Sequence, residues 1–95
     1  ELDQGLYVSR WQRATPLGRE YLAAMAAIGE TCTSAQVAKL MNRNVSDLSS
    51  IRLSLIELGL VYSPERGRIA FTVPGMDEFI RRVMSSESQS YDGRA

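Results

Sequence analysis

The sequence predicts an α+β fold that is mainly α-helical and carries one small β-hairpin. Three segments each open with a side chain that suits a helix N-cap and continue with apolar residues at helical spacing. Two short runs of strand-forming residues follow, separated by a loop that contains proline and glycine. The 95 residues are enough for one domain with a single modest core.

The first stretch, residues 1–14, is predicted to be an extended arm or strand. Tyr7, Val8 and Trp11 favour extended backbone by residue type. Aromatic side chains next to arginines can stack on nucleic-acid bases, and Arg10 and Arg13 stand beside this pair. Aromatic side chains more often cover a core or dock on a neighbouring domain, and we interpret Tyr7 and Trp11 in that way.

The first helix is predicted to begin after Thr15, a hydroxyl cap followed by Pro16 at the first helical position. Gly29 supplies the stop. Gly18 occupies a position where a stronger helix former is more usual, and it is expected to weaken the helix by roughly 1 kcal/mol. The apolar face comprises Leu17, Tyr21, Leu22, Met25 and Ile28.

Two further helices are predicted around a short turn. Residues 33–36, Thr-Ser-Ala-Gln, fit a capping box that starts the second helix. Asn42 suits a left-handed residue just past its end, and Asn44 is expected to cap the third helix, about residues 45–58. Leu48, Ile51, Leu55 and Leu58 form the inner stripe of that helix.

A β-hairpin is predicted next, with strands at 60–62 and 68–72. Pro74 is expected to open a last helix, and residues 85–95 read as a flexible polar tail. Helix, turn, helix and hairpin in this order predict a winged helix-turn-helix domain over residues 15–84. Its recognition helix would be about 45–58, and its wing about 60–72.

Small polar side chains at the start of the third helix can donate to phosphates or base edges, and arginines can contact phosphate or guanine. The two arginines of the wing suit a backbone or minor-groove probe. The candidate DNA-binding residues are therefore Arg43, Asn44, Ser46, Ser49, Ser50, Arg52, Arg66 and Arg68.

Each of these residues also has an ordinary structural interpretation. Serines cap and solubilise an exposed helix face, and Arg52 could pair with Asp47 or Glu57 on its own helix. Charged residues on a hairpin discourage edge-to-edge aggregation. Leu53 points outward on the same helix, where it suits a protein contact better than a phosphate.

Charge argues for modest DNA affinity. The 11 basic and 11 acidic residues cancel, whereas strong binders are usually basic. Between positions 39 and 68, five basic residues face three acidic ones, a local excess of two positive charges. Tighter binding would require a dimer, a second domain or a larger assembly.

The residue inventory argues against an enzyme. The chain has no histidine, no phosphate-binding glycine loop and no nucleophile elbow, so no active site and no cofactor or metal site is expected. The lone Cys32 suits a reducing cytosol and is expected to pack as a small apolar residue. Without an apolar run long enough for a bilayer or a secretory signal, the expected location is cytoplasmic.

Several segments together resemble the C-terminal winged-helix domain of certain prokaryotic AAA-type ATPases, which are similar to the origin-recognition initiators of archaea and eukaryotes. The resemblance covers about residues 6–82, and the run 69–74, Ile-Ala-Phe-Thr-Val-Pro, with Phe79 is its most specific part. The other segments that carry it are 13–16, 20–22, 24–26, 59–64 and 66–67, together with Arg52, Leu55 and Ile56.

The resemblance implies an accessory DNA-binding domain that follows a nucleotide-binding module in the parent protein. Its partners would be double-stranded DNA and the parent ATPase domain, with no membrane. Leu53 and Asp47 on the candidate face depart from what strong DNA contact needs. The alternative hypothesis is a protein-interaction module, in which Leu53, Tyr7 and Trp11 dock the parent ATPase or a second copy of the chain.

Overall fold

A computed structural model describes residues 4–29 and 31–93 of the chain. These residues form five α-helices and one three-stranded antiparallel sheet with the strand order β1-β3-β2, which confirms the mainly helical α+β class. The elements are α1 (Gln4–Arg13), α2 (Pro16–Ile28), β1 (Thr31–Thr33), α3 (Ser34–Met41), α4 (Val45–Glu57), β2 (Val61–Tyr62), β3 (Arg68–Phe71) and α5 (Met76–Gly93).

Helix α2 lies at the centre of the fold and packs against α3, α4 and α5. Its predicted start is confirmed, since the Thr15 hydroxyl accepts a hydrogen bond from the Gly18 amide at 3.0 Å. Gly29 ends it with φ of 147°, a conformation that favours glycine. The capping box of α3 is confirmed as well, with reciprocal bonds between Thr33 and Gln36.

Gly18 has a packing role that the sequence did not indicate. It is buried, and a Cβ at this position would lie 3.4 Å from Leu55 and 3.2 Å from the Thr15 hydroxyl oxygen. The Leu55 distance is an ordinary van der Waals contact, whereas the distance to the Thr15 hydroxyl is tighter than usual. The lack of a side chain therefore leaves room for the hydroxyl that caps α2.

The prediction of an extended arm was wrong, because residues 4–13 form helix α1, while residues 1–3 lie outside the described residues. Tyr7 is buried, stacks on Phe79 with ring centroids 5.3 Å apart, and donates its hydroxyl to the Pro74 carbonyl at 2.8 Å. Arg19 lies over the Trp11 ring and donates to the Trp11 carbonyl at 3.1 Å. Packing on α2 and α5 thus overrides the strand preference of these aromatic residues.

Strand β1 was not predicted. Its three residues pair with β3 in the register Thr31↔Ala70, Cys32↔Ile69 and Thr33↔Arg68. A three-residue strand shows no useful alternation, and its partner lies more than 30 positions away in the sequence. Only the folded chain brings the two together.

The predicted hairpin is confirmed, with β2 paired to β3 through Val61↔Phe71 and Tyr62↔Ala70. Within its loop the Ser63 hydroxyl lies 2.7 Å from the Glu65 carbonyl and 2.9 Å from the Arg68 carbonyl, so it can donate to either. Gly67 has φ of 79°, in the left-handed region that this turn requires.

The last helix differs from its prediction at both ends. It begins at Met76 rather than Pro74, because residues 73–75 form a turn in which Gly75 has positive φ. Its backbone continues to Gly93, so the predicted flexible tail from residue 85 was wrong over the part described, and residues 94–95 lie outside it. Met84 on this helix is 42% exposed.

One buried apolar cluster joins the helices to the sheet. The residues of this cluster that are almost fully buried include Leu22, Met25, Val37, Leu48, Leu55, Leu60, Ile69, Met76 and Ile80. Arg81 ties α5 to α2 by donating to the Ala26 carbonyl at 2.7 Å. In the part of the chain that the structure describes, no helix is long and apolar enough to cross a membrane.

Cys32 is buried on β1 as a small apolar residue, as expected, and its thiol donates to the Ile69 carbonyl at 3.8 Å. Burial raises the pKa of this thiol to about 11. Because the thiolate is the nucleophile, we expect iodoacetamide at pH 8 to modify native Cys32 far more slowly than the chain unfolded in denaturant. Mass spectrometry of timed samples measures both rates, and equal rates would contradict the buried placement.

Candidate nucleic-acid interface

A groove of about 460 Å³ lies between α4, the start of α3 and the hairpin loop, and we refer to it as the α4–hairpin groove. Three of the predicted site residues meet there, namely Ser49, Arg52 and Arg66. The full lining is Tyr21, Ser34, Val45, Leu48, Ser49, Arg52, Ser63, Arg66 and Gly67. Among these residues, two carry positive charge and none is acidic.

The pairing of β1 with β3 positions the hairpin loop beside α3. Because Thr33 is opposite Arg68 in the sheet, the loop that precedes Arg68 lies next to the first residue of α3. The Ser34 amide donates to the Gly67 carbonyl at 2.9 Å and fixes this arrangement. Helix α4 forms the other wall, held against the core by Leu48 and Leu55.

Arg52 is the half-buried cation of the groove. Its Nε atom is shielded from solvent and has no hydrogen-bond partner among the described residues. The predicted alternative, a pairing with Asp47 or Glu57, is wrong for the described structure, whose ion pairs join Arg68 to Glu65 and Arg81 to Asp77. A buried N–H without a partner costs free energy, so the guanidinium is poised for an acceptor from outside the chain.

Tyr21 contributes to the groove from α2, although its side chain is almost fully buried. Burial raises the pKa of its phenol, while the nearby side chain of Ser34 and the positive charge of Arg52 act in the opposite direction. The phenol therefore stays protonated at neutral pH and keeps its hydroxyl hydrogen. Tyr21, Ser34 and Arg52 thus place polar groups side by side on an otherwise apolar floor.

Ser49 and Ser63 line the same groove, but their hydroxyl hydrogens are already engaged. Ser49 donates to the Ser46 carbonyl at 2.9 Å, and Ser63 bonds carbonyls of its own loop. In this arrangement both side chains offer acceptor oxygens to the groove. Donors must therefore come chiefly from the two arginines, because the side chains of Ser34 and Tyr21 share a hydrogen bond with each other.

Arg43 and Asn44 lie elsewhere, in a second groove at the turn between α3 and α4. Asn42 takes the predicted left-handed conformation there, with φ of 60°. Asn44 stands at the N-cap position of α4, but the predicted side-chain cap is absent, because its amide nitrogen lies 3.4 Å from an Asp47 carboxylate oxygen. The carboxylate of Asp47 thus occupies one side of this second groove.

The remaining predicted site residues are exposed but belong to neither groove. Ser46 and Ser50 lie on the outward face of α4. Arg68 lies 3.6 Å from the Glu65 carboxylate, an exposed pair that solvent screens strongly. Of the two hairpin arginines, Arg66 is therefore the one that adds its charge to the α4–hairpin groove.

A family model matches residues 4–80, which is most of the chain. The chain belongs to the family described as Domain of unknown function (DUF8462). No curated protein and no solved structure matches it. The matched span of this DUF8462 domain contains every residue that lines the α4–hairpin groove.

The sequence did not indicate that Tyr21, Ser34 and Ser63 belong to the candidate interface. Tyr21 and Ser34 come from elements that precede α4, and no local pattern connects them with Arg52. Ser63 carried a weak signal, because a serine before proline marks a loop. Over the described residues of the DUF8462 domain, no three histidine, cysteine, aspartate or glutamate side chains are grouped to hold a metal ion.

Proposed function

We propose that this DUF8462 domain is a winged helix-turn-helix module that binds double-stranded DNA as an accessory domain of a larger cytoplasmic AAA-type ATPase. The observation that carries the proposal is the convergence of Arg52 from α4 and Arg66 from the hairpin loop on one groove without an acidic side chain. Cations on two separate elements can contact a nucleic-acid backbone from two sides, which cations on one helix cannot do.

The order of elements supports the fold assignment. Helices α3 and α4 are joined by the short turn 42–44 and followed directly by the hairpin. In this proposal α4 is the recognition helix, about residues 45–58, and the hairpin is the wing, about residues 60–72. The sheet contact through Ser34 and Gly67 would hold the wing at a fixed position beside α4.

The proposed contacts divide into three groups. Ser46 and Ser50 would reach base edges or phosphates in the major groove, since both are exposed near the start of α4. Arg52 and Arg66 would contact backbone phosphates at the edge of the DNA major groove. Leu53, which is 56% exposed on the same helix, would contact an apolar group in the major groove of the DNA, such as a thymine methyl.

The zero net charge predicts weak binding by the domain alone. In the parent protein, attachment to an ATPase module raises the effective concentration of the domain near DNA and strengthens binding without any new contact. Nucleotide hydrolysis would belong to that module, because this sequence carries no phosphate-binding glycine loop.

The test is a titration of a labelled random-sequence duplex by fluorescence anisotropy at several salt concentrations. We expect binding that weakens steeply with salt, with a smaller salt dependence for the double variant Arg66→Ala, Arg68→Ala, because fewer counterions are then released. The matched control is Arg82→Ala, which removes an exposed cation from α5, away from both grooves. Absence of binding even at low salt would refute the proposal.

A second candidate function, protein interaction, is favoured by the exposed apolar side chains. Leu53 on α4 and Leu40 on α3 are each more than half exposed. A protein partner, either the parent ATPase or a second copy, would cover such residues. This candidate predicts self-association that is insensitive to salt and that Leu53→Ser abolishes, which sedimentation velocity of the isolated domain measures.

A further inference from the structure

We infer that the α4–hairpin groove binds one phosphate group. In this binding site, which we call the phosphate seat, Arg52 is the inner cation and Arg66 the outer one. The inference deepens the proposed function, because the DNA backbone is one source of such a group. A phosphorylated small molecule is the other source, and the chemistry of recognition is the same for both.

Arg52 carries an unsatisfied donor beside apolar surface. Its solvent-shielded Nε has no hydrogen-bond partner in the described part of the chain, and Val45 and Leu48 contribute apolar surface to the same groove. Low local polarity strengthens the attraction between a guanidinium and an anion. An anion in the groove would therefore remove the cost of the unpaired donor.

The groove brings several donors together. The guanidinium groups of Arg52 and Arg66 offer several N–H donors, and the hydrogen-bonded pair of Ser34 and Tyr21 leaves one further hydroxyl hydrogen at the same place. A phosphate presents oxygens in several directions and can accept from donors on both walls at once. A carboxylate ligand, with two coplanar oxygens, would satisfy fewer of them.

The start of α3 borders the groove at Ser34. The Ser34 amide is bonded to the Gly67 carbonyl and the Gln36 amide to the Thr33 hydroxyl, so these backbone donors are not available to a ligand. The helix dipole still favours negative charge at this end. Recognition consequently rests on the side chains, which makes it open to mutation.

The test is nuclear magnetic resonance of the ¹⁵N-labelled chain, titrated with sodium phosphate and, as a control, with sodium chloride at equal ionic strength. We expect saturable shifts at the amides of Ser34, Arg52, Arg66 and Gly67 with phosphate alone. Arg52→Gln should weaken phosphate binding by about tenfold or more, as expected for lost charge-assisted hydrogen bonds. Arg82→Gln, which removes an exposed cation of α5 away from both grooves, should leave phosphate binding unchanged.

Arg66→Gln provides a second variant, because this loop residue is exposed and its substitution should leave the fold intact. It should also weaken the phosphate response. If the spectrum of Arg52→Gln shows that this variant has lost the fold, the test of phosphate binding rests on Arg66→Gln. An unchanged response in Arg66→Gln would refute the two-cation seat.

A parallel titration with a short duplex separates this inference from the proposed function. Phosphate shifts without duplex binding would uphold the seat, assign it to a small phosphorylated molecule and refute DNA binding. Duplex binding that shifts the groove amides would uphold both and assign the seat to the DNA backbone. Duplex binding without shifts at these amides, or no response to either ligand, would refute the seat.

Discussion

Replacement of Ile80 by alanine is expected to lower the free energy of unfolding by about 2–5 kcal/mol. Ile80 is fully buried on α5 and belongs to the cluster that joins this helix to α2. Truncation removes apolar contacts and leaves a cavity that the surrounding helices fill only in part. Urea denaturation followed by circular dichroism measures the loss.

Leu53→Ala is the matched control for this prediction. It truncates an aliphatic side chain of similar size, but Leu53 is more than half exposed on α4, so its effect should stay within about 0.5 kcal/mol. Similar losses for the two variants would mean that α5 does not contribute to the core as described. It would also mean that α5 does not support α2 or, through α2, the floor of the α4–hairpin groove.

Replacement of Arg52 by alanine is expected to weaken duplex binding by about tenfold to a hundredfold at low salt. The estimate follows from the loss of charge-assisted hydrogen bonds, each of which contributes about 1.5–3 kcal/mol. The side chain is the inner cation of the groove, with no carboxylate partner among the described ion pairs. Fluorescence anisotropy with a labelled duplex provides the dissociation constants.

Arg52→Lys and Arg82→Ala are the informative controls. Lysine keeps the charge but lacks the planar fork of donors, so Arg52→Lys should fall between the wild type and Arg52→Ala. Arg82→Ala removes the same charge from an exposed site on α5 and should change affinity little. If both alanine variants weaken binding equally, any exposed cation attracts DNA to the same extent, and the α4–hairpin groove has no special role in binding.

Local sequence signals determined the three helices α2, α3 and α4 between residues 15 and 58. The capping residues Thr15 and Thr33, the left-handed Asn42 and the stop at Gly29 each act through their own backbone neighbourhood. Such signals can be read from the sequence without knowledge of the rest of the fold. The structure confirms the helix starts that they predict. Asn44 is the exception, because the nearby Asp47 carboxylate engages its side-chain amide.

The errors at α1 and β1 share one cause. Tyr7 and Trp11 have strand-forming side chains, yet α1 is helical because Tyr7 stacks on Phe79, more than 70 positions away. Strand β1 likewise exists only through its pairing with β3. Local propensity differs by about 1 kcal/mol or less among such residues, so a few buried contacts outweigh it.

The candidate interface shows the same division. Sequence position alone indicated Ser49, Arg52 and Arg66, since polar and basic residues on a helix start and a hairpin loop are typical of DNA contact. Tertiary structure decides that these three residues converge and that Arg43 and Asn44 lie in another groove. It also adds Tyr21 and Ser34 to the α4–hairpin groove. Secondary structure follows from interactions between near neighbours, whereas the groove is formed by four elements that meet only when α2 buries its apolar face.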